Sequence, residues 1–283
     1  MKTHFTIQLR SSNREFEKCY ARILSDKELQ LNLFLRNLDG SDKPLPPQNI
    51  RGIVINEKCR IELLFLNAYP FNLQLAGLSR GSTCATAYLA KYIVENDIAI
   101  RGVQGEYEVC SAFANEYEKL TGKKMQPHFG MDILRLAKLN AVEVSGKLRP
   151  VIENDQFVVD WIAAMQAEAV HEQIDRETAL EKFKTMVAER NLFVYENENG
   201  TPTSIVQAKP HGRYATLSYV YTRPEYRNRG YGKAMVHELC KMLAGEYKGF
   251  VLFVDKTNPS ANKIYSAVGF ERVCENYDFR IVE

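Results

Sequence analysis

The sequence predicts an α+β chain built in two halves, and three observations predict it. Short apolar runs rich in Val, Ile, Leu and Tyr alternate with segments whose apolar residues recur at helical spacing. One order of elements reads twice: two helices, a hairpin, a strand, a helix, a strand, a helix and a strand. At the same step of each half a glycine-bearing turn joins a strand to a helix. The 283 residues give room for two ordinary domains, expected over 1–145 and 146–283.

In the first half the spacing of Phe16 and Tyr20 predicts a helix over 13–22. Leu31, Phe34, Leu35 and Leu38 predict a second over 27–38, ended by Gly40. Three prolines make 41–48 a loop. Strands are expected over 50–55 and 60–66, turning at Asn56-Glu57, and over 71–76. A helix over 83–96, a strand over 98–101, a helix over 106–120 and a long strand over 129–142 complete this half. In the second half helices are expected over 155–172, with the single tryptophan Trp161, and over 176–190. A hairpin of 192–196 and 203–209 turns at Asn197–Gly200. Strands over 217–222 and 249–255, a helix over 260–268 ended by Gly269, and a closing strand or pair of strands over 271–282 follow.

The stretch Leu217–Leu239 joins these parts into a site. A strand ends where Arg223-Pro224 turns the chain out of the sheet, because proline donates nothing to a ladder. Arg227-x-x-Gly230-x-Gly232 then leads into a helix whose apolar side carries Ala234, Met235, Leu239 and Met242. Unpaired N–H groups at the positive end of a helix bind phosphate, and glycines let the backbone come close to it. Arg223, Arg227, Arg229 and Lys233 add charge. In the first half Ser79-Arg80-Gly81-Ser82-Thr83 takes the place of Asn228-Arg229-Gly230-Tyr231-Gly232. There Thr83 replaces the second glycine and no arginine stands three residues before Gly81.

Composition narrows the function. With 45% hydrophobic and 25% charged residues the chain is expected to be soluble and globular, and its net charge of +2 gives no global field for nucleic acid. No apolar run is long enough to span a bilayer, and no signal-peptide core is read at the N-terminus. The six cysteines and five histidines are scattered, so reduced thiols, a cytoplasmic protein and no metal are expected. No cysteine or other nucleophile is set up for covalent catalysis.

Three blocks in the second half resemble the GNAT family of N-acetyltransferases over about Leu148–Glu283. They are Val220–Gly232, matching the family's Arg/Gln-x-x-Gly-x-Gly/Ala motif, then Asn258-Pro259-Ser260-Ala261-Asn262 leading to Tyr265, and Val268-Gly269-Phe270. The whole chain resembles bacterial acetyltransferases built from a degenerate and an intact GNAT half. The resemblance implies two halves, each a mixed, mostly antiparallel sheet flanked by helices. It implies acetyl-CoA as cosubstrate, with its pyrophosphate on Arg227, Asn228, Arg229, Gly230, Tyr231, Gly232 and Lys233. The pantetheine arm would lie on Val220, Tyr221 and Thr222, where the strand splays from its neighbour. Asn258, Ser260, Ala261 and Asn262 would touch CoA too, although an asparagine at that place is also a good helix cap. Tyr265 would protonate the departing thiolate; otherwise it is a core tyrosine.

The implied activity is acetyl transfer to a primary amine, of a small molecule or a protein, by direct attack in a ternary complex. A non-catalytic acyl-CoA sensor and transfer of a longer acyl or an aminoacyl group are the alternatives. Glu168, Glu172, Asp160, Tyr219, Tyr221 and Glu225 are all open as the general base. The acceptor and the oligomeric state are not legible.

Overall fold

The computed structural model describes residues 4–35, 37–170 and 172–282. The chain runs β1 (Phe5–Leu9), α1 (Asn13–Asp26), α2 (Asn32–Leu35), β2 (Ile50–Asn56), β3 (Ile61–Asn67), β4 (Leu73–Gly77), α3 (Ser82–Glu95), β5 (Gly102–Gly105), α4 (Tyr107–Thr121) and β6 (Met125–Leu136). It continues as β7 (Lys147–Pro150), α5 (Val158–Met165), α6 (Arg176–Ala188), β8 (Leu192–Glu196), β9 (Pro202–His211), β10 (Tyr214–Thr222), α7 (Tyr231–Met242), β11 (Gly249–Asp255), α8 (Pro259–Val268) and β12 (Phe270–Ile281). The order from β1 to β6 is the order from β7 to β12.

Contacts divide the chain into two compact units. The first runs from the N-terminus to Asp132 and takes back the segment from Cys274 onward; the second is Ile133–Val273. In the first the strands lie in the order β1-β2-β3-β4-β5-β12-β6. Neighbours are antiparallel from β1 to β4, and β4 is parallel to β5. In the second the order is β6-β11-β10-β9-β8-β7, with β10 parallel to β11 and antiparallel to β9. Each unit is thus a mixed, mostly antiparallel sheet.

Strand alternation places a core on both faces of each sheet. In β3, Leu63 and Phe65 pack with α3 and α4 through Leu89 and Phe113, while Leu64 and Leu66 pack with Phe16 and Leu24 of α1. In β8, Phe193 and Tyr195 pack with α7 and α8 through Met235, Leu239 and Val268. Leu192 and Val194 pack with Ile162 of α5 and Phe183 of α6. Helices therefore flank each sheet on both sides, as the sequence implied.

Several boundaries differ from the sequence reading. The helix expected over 27–38 shrinks to α2, with Arg36 outside the described residues. The strand expected at 98–101 lies at Gly102–Gly105. Asp97 at φ 50° and the bond from Ile98 N to Ile93 O use that stretch to leave α3. β6 begins earlier and stops at Leu136, because Ala137 and Asn140 donate to Gly269 and Val268 at the end of α8 instead of to a strand. The helix expected over 155–172 breaks at Met165 into a π turn, Gln166–Val170, and His171 lies outside the described residues. β1 and β7, each at a sheet edge, escaped the reading.

Candidate active site

Leu217 is where β10 stops being an ordinary strand. Its parallel pairing with β11 runs from Tyr214↔Gly249 to Leu217↔Leu252 and ends there. On the other side pairing with β9 continues, but the register jumps between Ser218↔Gln207 and Tyr221↔Ile205. One extra residue is accommodated, and Tyr219 takes φ 50°, a left-handed conformation costly for a bulky side chain. Ser218 Oγ pins the bulge by donating to Gln207 Oε1 at 2.8 Å. Val220, Tyr221 and Thr222 thus lie where β10 and β11 have parted, with main-chain groups that pair with no strand on that side.

The turn after β10 is held by arginines stacked on aromatic rings. Arg223 lies over Trp161 at 5.5 Å and Tyr226 at 5.1 Å, and pairs with Glu225. Arg229 lies over Tyr226 at 5.6 Å. Arg227 donates Nε to the Thr222 carbonyl at 2.9 Å and Nη2 to Glu168 at 2.7 Å, over the Tyr221 ring. Asn228 at φ 60° and Gly230 at φ 83° then swing the chain into α7. Gly230 is the N-cap and brings no side chain to bond the helix start. The first N–H groups of α7 consequently have neither a helical acceptor nor a capping oxygen. Gly232 matters for space: a Cβ there would stand 3.1 Å from Thr222 Oγ1 and 3.6 Å from Ile264 Cδ1.

The end of α8 nearest this turn is capped conventionally. Asn258 Oδ1 accepts from Ala261 N at 3.0 Å and Ser260 Oγ at 2.9 Å, and the Asn258 carbonyl accepts from Asn262 Nδ2 at 3.2 Å. Capping thus commits the Asn258 carbonyl oxygens and leaves its Nδ2 for a ligand. Tyr265, two turns on, is 7% exposed, with its ring edge-on to Phe270 at 6.0 Å. Burial raises its phenol pKa, so the hydroxyl keeps its proton well above neutral pH.

A cavity of about 670 Å³ connects these parts. Val220, Tyr221, Thr222, Arg227, Asn228, Gly230, Tyr231, Gly232, Lys233, Asn258, Ser260, Ala261 and Tyr265 all line it. Arg229 and Asn262 do not. The lining also includes Met165 at the end of α5 and Glu168 and Ala169 from the π turn, with Tyr226, Pro259, Lys263 and Ile264. Tyr226, Lys263 and Ile264 flank motif residues and follow from their place in the turn and helix. The π turn has no sequence signal, so neither Ala169 within it nor Met165 just before it was foreseen. Of the candidate bases, Glu168 lines the cavity in its ion pair with Arg227, whereas Asp160 pairs with Arg176 at 3.7 Å and Glu225 pairs with Arg223.

A parted parallel strand pair thus opens on an uncapped glycine turn, and together they offer free main-chain groups and an anion-binding helix start. Residues 154–270 match the model of the acetyltransferase (GNAT) family, so this stretch is a GNAT acetyltransferase domain. The fold extends along nearly the whole chain. An acetyltransferase of the GNAT family from Colwellia psychrerythraea shares it at 14% identity, over 98% of this chain and 100% of that one, with a TM-score of 0.56. A GCN5-related N-acetyltransferase from Sphaerobacter thermophilus shares it at 15% identity, over 98% and 95%, with a TM-score of 0.62. At these identities the likeness is one of fold. Against the curated proteins the sequence finds no match.

Proposed function

We propose that this protein transfers the acetyl group of acetyl-CoA to a primary amine by direct attack within a ternary complex. One observation carries the reading: a single cavity joins the parted edge of β10, the uncapped start of α7 and the buried hydroxyl-bearing Tyr265. The N–H groups at the start of α7 and the charge of Lys233 suit the CoA pyrophosphate. Arg227, committed to Glu168 and to the Thr222 carbonyl, props the turn. Main-chain groups of Val220–Thr222 suit the amides of the pantetheine arm.

In this reading the amine attacks as its free base, its nitrogen bonding to the thioester carbon while the carbon–sulfur bond breaks. Tyr265 delivers its phenol proton to the departing thiolate. Burial keeps the phenol protonated at neutral pH, so the proton is present when the thiolate leaves. All six cysteines are free thiols, three of them exposed, which suits a reducing cytoplasm. The division of the chain into domains at 145/146 belongs to the same reading, with chemistry confined to the second. Thiol release from acetyl-CoA across a panel of amines tests the activity. Initial-velocity lines that intersect are expected; parallel lines would mean an acyl-enzyme and would overturn direct attack.

A further inference from the structure

The first unit has a polar recess at the start of β4 and β5, on the sheet face opposite the core of Leu73, Val103 and Phe279. Pairing sets Gln74 beside Gln104, and Gln104 opposite Asp278. Two residues along, Gly102 stands opposite Arg280. Strand alternation therefore turns Gln74, Gln104, Asp278 and Arg280 to one face. β4, β5 and β12 are interior strands, where polar side chains are costly unless they are bonded.

Asp278 organises the floor. Its Oδ1 accepts from Asn72 Nδ2 at 2.6 Å, and its Oδ2 accepts from Arg280 Nε at 3.2 Å and Nη2 at 3.1 Å. These bonds fix the Asn72 amide and the Arg280 guanidinium and leave Arg280 Nη1 to another acceptor. Gly102 adds no side chain to the floor; a Cβ there would reach within 3.1 Å of Asn72 Oδ1. Arg101, exposed, stands at the rim with Phe71, a large apolar side chain that is 66% exposed. The recess measures about 390 Å³, and its lining carries two guanidinium groups and several carboxamides, with the Asp278 carboxylate beneath them bonded to Asn72 and Arg280.

We propose that this recess binds a small organic carboxylate bearing a further polar group. Guanidinium forks match carboxylate oxygens, the amides of Asn72, Gln74 and Gln104 both donate and accept, and Pro70 and Phe71 cover an apolar carbon skeleton. The site lies in the unit that the proposed transfer does not use, so the two readings stand or fall separately.

Calorimetric titration of the full chain with succinate, citrate and L-glutamine tests it, with inorganic phosphate and spermidine as counter-probes. At least one carboxylate is expected to bind with Kd below about 1 mM. Arg101→Ala, at an exposed position, should weaken that binding at least about tenfold. Gln104→Leu should weaken it as well, and Gly232→Trp in the second unit should leave it unchanged. Absence of carboxylate binding up to about 10 mM, binding of phosphate or spermidine alone, or binding unaffected by both Arg101→Ala and Gln104→Leu would overturn the proposal. Loss of carboxylate binding in Gly232→Trp would also overturn it, since the ligand would then occupy the other cavity.

Discussion

The corner between β4 and α3 and the corner between β10 and α7 stand at the same step of the repeated order, and they treat a helix start in opposite ways. In both, parallel pairing ends early, at Gln74↔Gln104 in one and Leu217↔Leu252 in the other. At α7 the N-cap Gly230 has φ 83° and a Cβ on it would meet open space. At α3 the N-cap Gly81 has φ −85°, and a Cβ on it would come within 2.7 Å of Glu62 Oε2. Glu62, 4% exposed, sets a carboxylate of the chain itself against the positive end of α3. The recess beside that corner, between Leu75–Gly77 and Gly105–Glu106, holds about 30 Å³ against about 670 Å³ in the second unit. A helix start attracts an anion wherever it is left uncapped; the first unit supplies its own anion and closes the space.

The largest effect that would break this contrast comes from filling the second corner. Gly232→Trp should weaken CoA binding by more than about 100-fold, since its side chain projects toward Thr222 and Ile264. Thr83→Trp should leave CoA affinity within about twofold. Calorimetry of both variants, with circular dichroism as a check on folding, measures this, and equal losses would mean that the first corner also serves CoA.

Next is Tyr265→Phe, expected to lower kcat by about 100-fold with CoA affinity retained. The sign of its pH dependence follows from burial. A general acid acts protonated, so its contribution is present below its pKa and lost as pH rises through it. Because the Tyr265 pKa is raised, the rate should climb with pH as an acceptor amine of ordinary pKa, about 10.4 for a lysine, gains its free base. A fall below about pH 9 in the pH–rate profile would point to another acid.

A smaller effect concerns the first corner. Glu62→Gln removes the charge facing α3 and should cost about 0.5–1 kcal/mol in urea unfolding without creating CoA affinity. The smallest is expected from Arg229→Ala. Arg229 stacks on Tyr226 outside the cavity, so CoA affinity should change by less than about threefold.

The second corner was legible in the sequence because its parts are local. Strand, Arg-x-x-Gly-x-Gly and helix follow one another, and Asn258 and Tyr265 stand at helical spacing. What was not legible depends on partners far along the chain. The bulge at Tyr219 is a matter of pairing with β9, and the π turn that brings Glu168 and Ala169 to the cavity breaks no apolar periodicity. The contact of Glu62 with Gly81 joins a strand to a helix start and has no motif. Nor does the recess floor, where Asn72 meets Asp278 across most of the chain's length. Edge strands β1 and β7 are short and partly exposed, so their alternation was too brief to read.

β12 starts in the second unit and, from Cys274, ends in the first, paired with β5 between Tyr277↔Gly105 and Arg280↔Gly102. The unit that leaves the ribosome first is therefore finished last. Until residues 274–281 are made, β5 lacks its neighbour and Phe279 is missing from the core it shares with Leu73 and Val103. The nascent first half keeps an open edge at β5 while the second half is synthesised, and the last residues of β12 close it.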